Sequence, residues 1–308
     1  MAYRLKLTET METGFRRICA EQLERAAATL EAASAEPAVS IHATRKTIKK
    51  TRALLRFFRP NLGDATFREL NIALRDAGRT LSGRRDLDVL QQTITKLHAD
   101  QSIKALTVAK LKRALDTARD AAMVPDDAAG RWIAQSLALQ TVRDRLADVP
   151  FDGAADSAQS LQTAGLGTSL EACREAFAPA FAGDDGEALH EWRKSVQLHW
   201  RHMQLVEAAW PAQCAARIEE ARIISQLTGE ARDLGLLLEF ARTQALTKVV
   251  LADVGRYVGA HSAVLQAEAR VRGERLLAAG TGGLCRRLEV YWSSARALRL
   301  MQSDRTVH

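Results

Sequence analysis

Apolar residues recur at helical spacing through almost the whole chain, a pattern that few folds other than a helical assembly can use. Phe15, Ile18, Cys19, Leu23 and Leu30 form one stripe, and Thr51, Leu54, Leu55 and Phe58 form another. Breakers fall between the stripes, at Pro37, Pro60 to Gly63, Ser82-Gly83, Pro125 to Asp127, Pro150 to Gly153, Gly183 to Gly186, Pro211, Gly229 and Gly280 to Gly283. The pattern predicts about a dozen helices and no strand, an all-α protein. Only six prolines and 5% aromatic residues among 308 agree with that, and they disfavour a sheet-rich fold. This length suits one large domain or two similar halves.

The small, polar, glycine-containing segment from Val149 to Gly167 divides the chain nearly in half and reads as a linker. A comparison of the flanking halves, residues 8–148 and 168–300, reveals a repeat. His42, Arg45 and Lys46 reappear as His190, Arg193 and Lys194 at the same H-x-x-R-K spacing. Downstream, Gly83-Arg84-Arg85-Asp86-Leu87 is echoed by Gly229-Glu230-Ala231-Arg232-Asp233-Leu234, with one residue inserted. Two matching blocks in the same order point to two similar bundles.

On a helix advancing about 100° per residue, His42, Arg45, Lys46, Lys49, Arg52 and Arg56 share one arc, with Lys50 and Arg59 at its margins. Thr44, Ile48, Thr51, Leu54, Leu55 and Phe58 lie opposite. The cationic stripe is about 21 Å long. Like charges three and four residues apart repel, and this face carries no acid of its own. A track for an extended anion explains the pattern; the alternative is a solvated face, or one neutralised by acids of neighbouring helices. The second helix repeats the track more weakly. His190, Arg193, Lys194 and Arg201 share its arc, but Gln197 and Gln204 stand where the first has Lys49 and Arg56. Arg75, Arg79, Arg84 and Arg85 in the first half, and Arg222 and Arg232 in the second, are expected where each half's later helix begins, with Asp86 and Asp233 as caps or ion-pair partners. Net charge is +7, from 44 Lys plus Arg against 37 Asp plus Glu, which also favours polyanions.

Other chemistries find little support. A divalent cation among the motif histidines would add charge to a site without carboxylates or thiolates, so neither metal nor cofactor is expected. His199 and His202 fall towards the apolar arc and read as core histidines. Cys19, Cys173, Cys214 and Cys285 are scattered and read as buried thiols. No phosphate-binding loop, paired acidic motif or nucleophile elbow occurs. No segment has the ~18 uncharged apolar residues of a membrane span and Met1 to Thr10 lacks an apolar signal segment, so a soluble cytoplasmic chain is expected.

H-x-x-R-K-x-x-K-K-x-R from His42 to Arg52, the run HEWRKSVQLHWRHM from His190, and the two R-D-L segments resemble the CHAD family, the conserved histidine α-helical domain, over about residues 8–300. The resemblance implies two four-helix bundles related by a pseudo-two-fold axis, with a basic groove or cavity that binds inorganic polyphosphate, and association with polyphosphate granules. His42, Arg45, Lys46, Lys49 and Arg52 would be ligands in the first half, with His190, Arg193 and Lys194 their counterparts. Lys50, Arg56, Arg79, Arg84, Arg85 and Arg201 join them from the charge pattern. Gln197 departs from the family pattern. No catalytic residue is expected. The competing readings are a phosphoryl-transfer or polyphosphate-hydrolysing enzyme using the motif histidines, a general nucleic-acid binder, which the lack of aromatics along the stripe disfavours, and a structural protein pairing with an acidic partner.

Overall fold

The computed structural model describes residues 3–32, 37–81, 85–100, 103–121, 128–152, 165–183 and 186–306. Among these, every regular element is helical: α1 (Met11–Glu31), α2 (Pro37–Phe57), α3 (Arg59–Leu62), α4 (Asp64–Thr80), α5 (Arg85–Asp100), α6 (Ala105–Ala121), α7 (Ala128–Asp148), α8 (Leu166–Ala180), α9 (Gly186–Leu205), α10 (Pro211–Thr243), α11 (Lys248–Leu277) and α12 (Thr281–Thr306), with a 3₁₀ turn at Glu207–Ala209. The protein is all-α, as the periodicity predicts.

Local sequence starts and stops these helices in familiar ways. Thr10 caps α1, its hydroxyl accepting from the Thr13 amide at 3.1 Å. Pro37 and Pro211 occupy first helical positions, where a missing N–H costs nothing. Gly229 does not break a helix: α10 runs through it for 33 residues. Arg222, Arg232 and Asp233 therefore lie inside one long helix rather than at the start of another, and Asp233 is not a cap. In the first half the corresponding stretch is split between α4 and α5, and Gly83 with Arg84 lies outside the described residues.

Two buried clusters organise the packing, and each draws on both sequence halves. The larger joins α1, α2, α4, α7, α8 and α9 with parts of α10, α11 and α12, and includes Phe15, Leu54, Phe58, Trp192 and Trp292. The smaller unites the α5–α6 pair with the facing ends of α10 and α11, through Leu90, Ile94, Leu111, Leu237 and Val254. A buried hydrogen bond from Thr107 to Asp253 at 2.7 Å ties α6 to α11.

The described ends of the central segment are packed, not loose. Phe151 rests on Phe15 and Phe58, with ring centroids 5.6 Å apart in both pairs, and the Gly165 amide donates to the Phe57 carbonyl at 2.6 Å, satisfying an end group of α2. A Cβ at Gly165 would lie 2.6 Å from the Arg56 carbonyl oxygen. The motif helices α2 and α9 pack against each other here. The His202 ring of α9 stands between two carbonyl oxygens, Ala53 of α2 at 2.9 Å from Nε2 and Gly165 at 3.1 Å from Nδ1. It also meets Phe57 edge-on, 5.1 Å between centroids. His199, equally buried, shares a hydrogen bond with Ser169 at 3.2 Å. Both histidines belong to the core, as their helical phase predicts, and all four cysteines are buried free thiols.

Burial pushes the His202 imidazole down to about 4 and holds His199 well below its ordinary range. The unfolded chain takes up these protons near pH 6.5 and the folded chain does not, so this stability is present above about pH 6.5 and is lost as pH falls towards 4. Chemical denaturation should show a loss on the order of 4 kcal/mol between pH 7 and pH 5, about 2 kcal/mol from each histidine. Gly165→Ala should lower stability at pH 7 by about 1–3 kcal/mol, since the clash is with backbone and cannot be relieved by a rotamer change.

Candidate anion-binding site

The basic stripe of α2 is not one open track. Ala53 and Phe57 fall within the cationic arc, about 20° and 60° from His42, and both are buried beneath α9. They part the basic residues into two rows.

One row faces α4. Arg52 donates to the Asn71 side chain at 2.9 Å, and Arg45 donates to the Leu81 carbonyl at 3.2 Å at the end of α4. Burial, then the nearby charges of Arg56, Arg75 and Arg79, push the Arg52 guanidinium down to about 10, against the weaker pull of Asp76. Burial and Arg59 likewise lower Arg56. Asp76 itself bonds Arg75 at 2.9 Å. Among the described residues, Arg52, Arg56, Arg75 and Arg79 thus confront a single carboxylate, an excess of three positive charges where Arg52 and Arg56 are half-buried. The acid of a neighbouring helix relieves the repulsion only in part. Lys49 and His42 are exposed on the same helix, and Arg59, at the margin, is paired with Asp64 at 2.8 Å.

On the other side, Lys50 lies against the N-terminal segment, its ammonium 5.2 Å from the Tyr3 ring centre. Burial, then Arg201, Lys46 and Arg25, lower its pKa. Arg201 does not stand on an open face as its helical phase suggests: it is 9% exposed, with its guanidinium 5.8 Å from the Trp200 ring centre.

The second motif forms a third cluster between α9 and α10. The Arg232 guanidinium touches both ring nitrogens of His190. Burial, then Arg232, Lys194 and Arg193, push His190 down to about 4, against the weaker pull of Glu191. Arg193 donates to the Ser225 carbonyl at 3.3 Å and spreads over Gly229, where a Cβ would come within 3.1 Å of the guanidinium. The repeated glycine thus makes room for the motif arginine. Lys194 pairs with Glu191, and the Gln197 side chain donates to the Ser225 hydroxyl at 2.8 Å. Those two contacts leave the second half with less charge to offer, in line with its weaker motif. Gln204 is half-buried at the position matching Arg56.

Of the residues singled out by sequence, Arg52, Arg56 and Arg79 gather with Arg75; Arg45 reaches the Leu81 carbonyl at the end of α4; Lys46 and Lys50 gather with Arg201; and His190, Arg193 and Lys194 gather with Arg232. Arg84 and the side chains of Arg85 and Asp86 lie outside the described residues. Exposed Arg222 is taken up by Glu219. Asn71, Asp76, Arg25 and Tyr3 carry no motif, and only the packing brings them in. Trp192 is a core residue against Phe177 and Phe181, with no part in a stacking platform. Among the described residues, no helix is long and apolar enough to cross a membrane, and no three His, Cys, Asp or Glu side chains stand together as metal ligands.

The family model described as CHAD domain matches residues 17–242, nearly three quarters of the chain, and the protein belongs to that family. No curated protein sequence matches it. Among solved structures, PptA from Streptomyces chartreusis is similar in fold, at 16% identity and a TM-score of 0.57, with 87% of this chain and 99% of that one covered. Family membership fits polyphosphate binding in general.

An anion seated at His190 reverses the sign of its surroundings and raises its pKa. Binding should therefore take up a proton between about pH 4 and pH 6.5, and affinity should strengthen as pH falls through that window. Calorimetry in buffers of different ionisation enthalpy measures that uptake, which His190→Gln should remove.

Proposed function

We propose that this chain is a non-enzymatic binder of inorganic polyphosphate that holds the polymer along the α2–α4 row and continues to the weaker His190–Arg232 cluster. One observation carries the reading: among the described residues, four guanidiniums on two packed helices face one carboxylate, and Arg52 and Arg56 are half-buried. Guanidiniums partly removed from water without counterions cost stability, which a bound anion would restore. A polymer with about one charge per phosphate matches a row of cations and needs no aromatic platform, whereas binders of single-stranded nucleic acid interleave stacking rings with their basic residues. We further propose that the two halves are duplicated bundles joined through residues 149–167, and that the protein associates with polyphosphate granules in the cytoplasm.

Titration with long-chain polyphosphate at several salt concentrations tests this. The wild type should bind with a steep salt dependence, as six to ten phosphate contacts require by analogy with counterion release from DNA. Lys49→Glu with Arg52→Glu should weaken binding by at least about a hundredfold at moderate salt and flatten the salt slope. A charge-matched pair on α11, Arg256→Glu with Arg270→Glu, should change it far less. No binding by the wild type, or equal loss in both double variants, would defeat the proposal.

A further inference from the structure

A hollow of roughly 560 Å³ opens between α5, α10 and α11, with no residue of α2, α4 or α9 in its lining. That size lies within the usual range for a small-molecule site. Leu97 and Leu234, both buried, close its bottom and belong to the smaller core cluster. Val264, 68% exposed, stands at its mouth. The wall that α11 supplies, from Tyr257 to Leu265, lies beyond the family-matched residues 17–242.

That wall is formed in advance of any occupant. The Tyr257 and His261 rings stack, with 3.8 Å between centroids and 22° between planes. The His261 Nδ1 lies 2.9 Å from the Tyr257 carbonyl, and because a carbonyl only accepts, this nitrogen carries the proton. The bond and the stack together hold the imidazole in one orientation. The charge here is opposite to that of the motif helices. Histidine aside, the charged groups lining the hollow are the carboxylates of Glu230 and Asp233 and the ammonium of Lys96, which lies 3.8 Å from Glu230 and links α5 to α10. One negative charge is left in excess, on a chain whose net charge is +7.

We propose that this hollow binds a small aromatic amine, with its ring body over Leu97 and Leu234 and its cationic group towards Glu230 and Asp233. The apolar bottom favours a body that gains by leaving water. The Tyr257–His261 pair adds a preference for a ring over an aliphatic chain, because rings pack on rings more favourably than buried area alone accounts for. The two carboxylates select the sign of the charge: a phosphate or carboxylate ligand would meet its like here, and an ammonium its opposite. The site is argued from its own lining and does not depend on what the basic rows hold.

Ligand-observed NMR on protein freed of polyanions tests it, with naphthylmethylamine, naphthylmethanol and naphthoate as probes that share a ring body and differ in charge. The amine should bind the wild type with a Kd of about 0.1–1 mM, as its dozen or so heavy atoms allow. The alcohol should bind about threefold to fivefold more weakly, as expected for the loss of a partly exposed ion pair, and naphthoate more weakly still. Ala260→Trp fills the hollow from an exposed helix position and should abolish binding of all three. Val264→Arg, also at an exposed position, brings a like charge to the mouth and should weaken the amine at least about tenfold. Glu230→Gln should weaken the amine and leave the alcohol unchanged. Glu274→Gln, the same change of charge elsewhere on α11, should leave both unchanged. The proposal is overturned if the amine does not bind the wild type at millimolar concentration, or if the alcohol or naphthoate binds as well as the amine, which would leave an apolar hollow without selection for charge. It is also overturned if Val264→Arg keeps the wild-type melting temperature and binds the amine as wild type does.

Discussion

A histidine held neutral between two backbone carbonyls fixes how the two basic helices meet. The ring of His202 has a carbonyl oxygen at each nitrogen, and a neutral imidazole can donate to only one of them. Burial outweighs the pull of both carbonyls towards the charged form. The arrangement persists because Gly165, Ala53 and Phe57 are locked to the same spot: the Gly165 amide serves the Phe57 carbonyl, and Phe57 packs on the imidazole edge. This contact determines which residues of α2 are covered, and hence where its charges can point.

The electrostatics follow from that placement. By resting on Ala53 and Phe57, α9 sends Arg52 and Arg56 towards α4, and Lys46 and Lys50 towards the N-terminal segment. Among the described residues, each group meets further cations, and Asp76 is the acid that faces the first of them. Charged surface helices elsewhere in the molecule show ordinary compensation, as in Arg16 with Glu12, Arg272 with Glu268 and Arg270 with Glu274.

Much of the fold was legible because each helix buries a stripe at its own period. The stripe Phe15, Ile18, Cys19, Leu23 and Leu30 is buried as read, and His199 and His202 sit in the core where their helical phase puts them. Gly229 misled because a lone glycine inside a helix costs only about 1 kcal/mol, and here the missing Cβ accommodates Arg193. The single-track reading of α2 overlooked a visible signal: Ala53 and Phe57 interrupt the cationic arc, and apolar residues amid charges mark a helix partner. Arg201 occupies the same arc as His190 yet is buried, because that part of α9 is covered by the chain entering from Tyr3 to Leu5. Arg25, Asn71 and Asp76 lie on other helices, and no pattern within α2 announces them.

The account turns on recognition by charge spacing without base stacking, so competition at equal charge tests it most directly. Protein loaded with labelled long-chain polyphosphate would be challenged with single-stranded DNA and with unlabelled polyphosphate, matched in phosphate concentration. The account predicts that unlabelled polyphosphate displaces the label and that DNA at the same charge does so poorly. Equal displacement by DNA would contradict it and make the protein a general polyanion binder.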